Sequence, residues 1–373
     1  MKRVYIHAYL QENLGDDLFV ETLCRRYPMV RFYIIADKSY KTRFRDLHNC
    51  KVRDPKEKKV LLANKILKHF KNVNSYLQVL IRRSEAVIHI GGSSFVQHHD
   101  DWSEFYNFDK MLVENSKNLF LIGANFGPYK DQRYLKAYHE LFKKYKGICL
   151  RDEYSWNLFR DVPQVSYAPD VLFGLKSNIT STVNNKEKIV IFSLIDLQNR
   201  QGNYDISVYE ADYIRFQVDL VRYFISEQYK IILISFCRNE GDEVMIQKIR
   251  ENFNELERQR IQNMSYQTDT EPILHEFEKA EIVIGTRFHS IVLGFVYECK
   301  VLPIIYNQKT EKMLDDLKYT LSIKLPELNN TDATELGRKV TLRKPLDISE
   351  QVKLSKRQFY YTDMQFASAD END

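Results

Sequence analysis

The absences in this chain exclude several classes of protein. No stretch approaches the roughly 18 consecutive apolar residues of a membrane helix. After Met1-Lys2-Arg3 the apolar run lasts only to Leu10 before Gln11-Glu12-Asn13 breaks it. That is too short for the core of a signal peptide, so a first strand and a cytoplasmic location are expected. The five cysteines (Cys24, Cys50, Cys149, Cys237 and Cys299) are scattered, odd in number and without a CxxC pair. They point neither to a disulfide framework nor to a zinc knuckle. A net charge of only +4 gives no electrostatic case for nucleic acid, and Tyr and Phe do not alternate with Lys/Arg in a base-reading stripe. There is no GxGxxG and no phosphate-cradling P-loop, and His139-Glu140 lacks a second histidine at the spacing of a zinc protease. His98-His99-Asp100-Asp101 has the composition of a metal site without helical ligand spacing, and reads as a solvated loop. No metal and no cofactor is expected.

What is present is a soluble-protein composition, 44% hydrophobic and 28% charged over 373 residues, enough for two ordinary domains. The aromatic load suits cores, with some tyrosine in a polar cleft. Short apolar runs read as strands at Val4–Tyr9, Arg31–Ala36, Ala86–Ile90, Leu119–Gly123, Ile148–Leu150, Ile189–Ile195, Lys230–Phe236, Ile282–Ile284 and Val301–Tyr306. Helical stretches separate them, near Leu18–Arg26, over Lys-rich Lys56–Arg83, and around Asp212–Gln228 and Asp242–Phe253. In Lys56–Arg83 the apolar positions, among them Val60, Leu61, Ile66 and Leu67, are expected to face the core, with a solvated basic side. This alternation implies right-handed crossovers and parallel sheets, an α/β fold. The polar stretch Ser177–Lys188 reads as a linker. Two Rossmann-like domains are therefore expected, 1–178 and 179–327, facing each other across a cleft. A C-terminal tail, 328–373, is expected to carry one helix and an acidic, frayed end.

Nearly every unusual cluster falls at the carboxyl end of an expected strand, where open parallel sheets bind ligands. Most informative is the run Glu281 to Phe295. A buried strand stops at Gly285-Thr286 and a helix starts near Phe288, so Arg287 and His289 fall at the junction. Backbone N–H groups and the helix dipole favour an anion there. A guanidinium and an imidazole at that point can grip a phosphate or carboxylate and move a proton. The same residue types also serve as plain loop caps.

The clusters, taken in order, resemble the polysaccharide pyruvyl transferase family. They are Asn13-Leu-Gly-Asp16, His89-Ile-Gly-Gly-Ser-Ser-Phe95, Gly123-Ala-Asn-Phe-Gly-Pro128, Cys149-Leu-Arg-Asp-Glu-Tyr-Ser155, Ala168-Pro-Asp-Val-Leu172, Phe236-Cys-Arg-Asn-Glu-Gly-Asp242, Gly285-Thr-Arg-Phe-His-Ser290 and Tyr306-Asn-Gln-Lys309. The resemblance covers roughly residues 1–320. It implies a GT-B-like fold and transfer of the enolpyruvyl carbons of phosphoenolpyruvate onto a sugar as a cyclic ketal, with release of phosphate. It also implies donor-binding and catalytic roles for Arg151, Arg287, His289 and Lys309, with Ser290 beside them on the donor.

The chemistry fits those residue types. Phosphoenolpyruvate carries a carboxylate and a phosphate side by side; arginine suits planar bidentate capture and lysine supplies a point charge. His289 is the candidate to protonate the enol carbon. Asn13, Asp16 and Asp17 are expected on a loop, serving either sugar hydroxyls or a turn and helix cap. Gly91, Gly92 and Asn125 are expected on the acceptor side. A sugar or lipid-linked oligosaccharide acceptor is implied, with peripheral association at the inner membrane face as a further expectation. The Lys56–Lys71 stretch reads first as a solvated helix face. A nucleotide-sugar glycosyltransferase, in which Arg287 and Lys309 hold a diphosphate, and a non-catalytic relative are the competing readings.

Overall fold

The computed structural model describes residues 1–67, 75–178, 186–198 and 204–367. The linker expected at Ser177–Lys188 and the acidic end lie largely or wholly outside them. The chain divides into two compact units. One comprises Met1–Leu10, Asp16–Val171 and the stretch from Leu354; the other comprises Gln11–Gly15 and Leu172–Lys353.

The first unit holds a parallel sheet of seven strands: β1 (Arg3–His7), β2 (Arg31–Ile35), β3 (Cys50–Arg53), β4 (Ala86–Ile90), β5 (Leu119–Ala124), β6 (Gly147–Leu150) and β7 (Val165–Tyr167). Their order is β3-β2-β1-β4-β5-β6-β7. The second holds six: β8 (Glu187–Ser193), β9 (Lys230–Ser235), β10 (Ile261–Ser265), β11 (Ala280–Gly285), β12 (Lys300–Ile305) and β13 (Ile323–Lys324). Their order is β10-β9-β8-β11-β12-β13. In both, the chain runs outward from the first strand, then returns to add strands on its other side. The order reverses between β1 and β4 and between β8 and β11, and such reversals open a crevice at the strands' carboxyl ends.

The central strands are mostly apolar and buried, as expected of strands covered on both faces. Phe192, Leu233, Ile284 and Leu302 meet Phe216, Leu220 and Phe224 of the helix Glu210–Ser226 in the second unit's core. The first unit packs Val87, Leu121 and Ile148 against an aromatic cluster. There the Phe95 ring stands edge-on to Tyr138 and Phe142, each at 5.2 Å.

Three expectations are corrected. The first helix begins at Leu14, so Gly15, Asp16 and Asp17 lie in its first turn rather than on a loop; carboxylates there complement the helix dipole. The described residues of Lys56–Arg83 include the helices Lys58–Leu67 and Tyr76–Arg82, with residues 68–74 outside the description. Leu61, Leu62 and Ile66 of the first are more than half exposed and do not face the core. Among its described residues the tail carries three α-helices, Ala333–Leu342, Ser349–Ser355 and Tyr360–Ala367, because its apolar residues complete both cores. Leu336 and Val340 join the second unit's core. In the first unit Phe366 packs 4.9 Å from the Tyr27 ring, and Arg26 donates to Asp363 at 2.9 Å.

Candidate functional site

In the second unit, four neighbouring strands deliver polar residues at their carboxyl ends: Ser193 from β8, Cys237–Asp242 after β9, Thr286–Ser290 after β11 and Tyr306–Lys309 after β12. Arg287 is the N-cap of the helix Phe288–Val296, every residue of which is buried. Ser193 Oγ accepts the Thr286 and Arg287 N–H groups at 3.1 and 3.2 Å. The Ser193 and Ser290 hydroxyls bond to each other, and Ser290 Oγ donates to the Arg287 carbonyl at 2.7 Å. Ser290 was expected on the donor. It is instead fully buried, with its hydroxyl committed to Ser193 and Arg287, so it shapes the turn that carries Arg287.

Arg287 is 5% exposed. Its Nε donates to Asp242 Oδ2 at 3.0 Å, its Nη2 to Asp242 Oδ1 and its Nη1 to Glu240. Asp242 Oδ2 also accepts the Phe236 and Cys237 N–H groups, each at 3.0 Å. Gly241 makes this possible: its φ of 83° turns the chain so that both flanking carboxylates reach one guanidinium. Burial pulls the Arg287 pKa down, but Asp242 and then Glu240 outweigh it and hold the pKa well above its ordinary value. The guanidinium is thus not an uncommitted anion clamp. One edge is fixed to a wholly buried carboxylate, whereas Glu240 is 23% exposed at its side chain.

His289 is 7% exposed and its ring lies directly over Gly15. A Cβ at Gly15 would stand 1.7 Å from His289 Nδ1. Asn13 and Cys237 pair as an isolated antiparallel bridge, the Leu14 N–H donates to the Phe236 carbonyl at 3.0 Å, and the Gly15 N–H to Asn13 Oδ1 at 3.0 Å. Asn13 therefore serves the turn, and the turn presents Gly15 to the imidazole. The Phe288 and His289 rings meet edge to face at 5.2 Å, and Lys309 Nζ sits 5.5 Å from the Phe288 centroid. Asn307 caps the helix that bears Lys309. Arg287, His289 and Lys309 thus share one end of one sheet.

Arg151 belongs to the first unit. It is 4% exposed, and donates to Asp170 at 3.0 Å and to Asn125 Oδ1 at 2.6 Å. Its terminal nitrogens lie over Gly92, where a Cβ would come within 2.7 Å of both. The Asn125 N–H donates to the Gly92 carbonyl at 3.0 Å. A Cβ at Gly91 would lie 3.7 Å from Asp16, so Asp16, Gly91, Gly92, Asn125 and Arg151 form one neighbourhood. Asp17 does not face a sugar; it is wholly buried and accepts from Arg43 Nη1 at 2.6 Å. With the helix starting at Leu14, its side chain turns inward.

Two groups were missed. Tyr213 bonds Thr286 Oγ1 at 2.9 Å, bracing the Arg287 turn. Gln358, from the tail, accepts the Gly123 N–H at 2.9 Å and donates to the Ala168 carbonyl at 2.6 Å and to Leu150 and Pro169 at 3.4 and 3.2 Å. It ties together the strand ends that carry Asn125, Arg151 and Asp170. A lone glutamine in a polar tail gives no sequence signal for this.

The model of the family described as polysaccharide pyruvyl transferase matches residues 13–308. This chain belongs to that family. Among curated relatives, it is similar to the amylovoran biosynthesis protein AmsJ of Erwinia amylovora, 20% identical over 279 residues. That match covers 66% of this chain and 64% of AmsJ, less than two thirds of the relative's length. Among solved structures, it resembles Neisseria meningitidis UDP-GlcNAc 2-epimerase bound to UDP-GlcNAc, with a TM-score of 0.58, 9% identity and coverage of 96% of this chain and 100% of that one. It also resembles Anabaena HepE in complex with UDP and glucose, with a TM-score of 0.56, 12% identity and coverage of 100% and 99%. At these identities the likeness is one of fold: this pyruvyl transferase family member has a GT-B-like fold.

Proposed function

We propose that the chain transfers the pyruvyl group of phosphoenolpyruvate to a sugar of a cell-surface polysaccharide precursor as a cyclic ketal, releasing phosphate. The observation that carries this is the gathering of Arg287, His289 and Lys309 at one sheet end, with the Asn13–Gly15 turn closed over the imidazole. His289 gives a proton to the terminal enol carbon. A sugar hydroxyl adds to the adjacent carbon, phosphate leaves with the electron pair of its C–O bond, and a second hydroxyl closes the ring. Of the two hydroxyl protons, one restores His289 and the other leaves with phosphate. A donor anion reaches Arg287 by displacing the partly exposed Glu240 while Asp242 keeps the guanidinium in place. Lys309 supplies a point charge to phosphate. Within the first unit Arg151, fixed by Asp170 and Asn125, is an anion-binding cation, and Asp16, Gly91 and Gly92 beside it serve the acceptor. These steps need no resident cofactor.

The acceptor is a sugar or lipid-linked oligosaccharide met on the cytoplasmic side. Among the described residues no helix is long and apolar enough to cross a membrane. The test is incubation with phosphoenolpyruvate and a model glycoside. Phosphate release with a mass gain of one pyruvyl ketal on the sugar supports the proposal. Release of UDP or GDP from a nucleotide sugar would replace it with glycosyl transfer, and binding without turnover with a non-catalytic role.

A further inference from the structure

The helix Lys58–Leu67 presents an exposed apolar surface among the described residues. Leu61, Leu62 and Ile66 are 54%, 60% and 53% exposed. No other ten-residue stretch of the described residues exposes three large apolar side chains. Val60 is the helix's buried anchor. At 3.6 residues per turn, Leu62 and Ile66 stack one turn apart on the side opposite Val60. Lys58 and Lys65 flank them on one side and Lys59 on the other, all exposed, while Leu61 lies at the rim. The helix contains no acidic residue. Glu57, just before it, is paired with Lys41.

We infer that this helix docks in the interface of a bilayer containing anionic lipid. An apolar strip bordered by lysines on both sides complements a hydrocarbon layer lying beneath a negatively charged one. The side chains match that depth profile: leucine and isoleucine enter the acyl boundary while the lysine stems lie along it and keep their ammonium groups at the phosphates. The strip is convex and only a few residues wide, which suits a deformable lipid surface. The docking rests on this helix alone, so it stands or falls separately from the donor chemistry.

The test is co-sedimentation of the full chain with vesicles of phosphatidylcholine, with or without phosphatidylglycerol. Binding is expected to anionic vesicles, to weaken with salt, and to fall about fivefold for each of Lys58→Gln, Lys59→Gln and Lys65→Gln. The double variant Leu62→Glu/Ile66→Glu should abolish it while leaving the melting temperature and the turnover of a soluble glycoside unchanged. Failure to sediment with anionic vesicles, or equal sedimentation of the double variant, overturns the inference. A doubled mass in solution that the double variant removes also overturns it, because the strip would then be a contact between copies of the chain.

Discussion

Gly15→Ala tests whether the imidazole must occupy the place the fold gives it. The added Cβ would stand 1.7 Å from His289 Nδ1, 2.2 Å from Cγ and 2.6 Å from Cβ. Ordinary contact needs roughly 3.5–4.0 Å, so the ring must retreat by about 2 Å. Residue 15 lies in the first turn of the helix Leu14–Arg26, where alanine is favoured over glycine by up to about 1 kcal/mol. That gain offsets part of the steric cost, and the variant should fold. Displacing a catalytic group by about 1 Å costs on the order of a hundredfold in rate. Phosphate release from saturating phosphoenolpyruvate and glycoside should therefore fall at least about hundredfold, or about 2.7 kcal/mol in barrier, with little change in melting temperature. A folded Gly15→Ala protein with wild-type turnover would refute the reasoning.

On the proposed function, Glu240→Gln removes the carboxylate that the donor must displace from Arg287. Calorimetric titration should show tighter phosphoenolpyruvate binding, and weaker binding would contradict the exchange. Gln358→Leu removes the partner of the Gly123 N–H and of the Ala168 and Pro169 carbonyls, while the Leu150 carbonyl keeps the Ala168 N–H. Chemical denaturation should show a loss of about 1–3 kcal/mol for each buried group left unpaired, and an unchanged midpoint would contradict the role. Burial raises the Asp109 pKa from 3.8 to about 7, despite a hydrogen bond from Tyr138 that lowers it. The folded state therefore keeps this proton while the unfolded state loses it, so the stability it contributes is full below about pH 4 and lost as pH rises towards 7. The advantage of Asp109→Asn over wild type should grow by about 1.4 kcal/mol per pH unit across that window, and parallel stability curves would sink the assignment.

The sheet centres were legible in the sequence because strands buried on both faces must be continuously apolar. The four strands that escaped, β3, β7, β10 and β13, are the four sheet edges. Edge strands are covered on fewer sides; β3 alternates Cys50, Lys51, Val52 and Arg53, and β13 has only two residues. The strand-end clusters were legible for the same topological reason. Their partners were not, because Asp242, Asp170 and Arg43 reach Arg287, Arg151 and Asp17 through folding rather than spacing. Leu61 and Ile66 misled because helical periodicity records which residues share a face, not what covers that face.

The most direct test of the central claim is donor binding and turnover measured together on His289→Ala. The account predicts phosphoenolpyruvate affinity near that of wild type, held by Arg287 and Lys309, with no phosphate released. Undiminished phosphate release from that variant would contradict it.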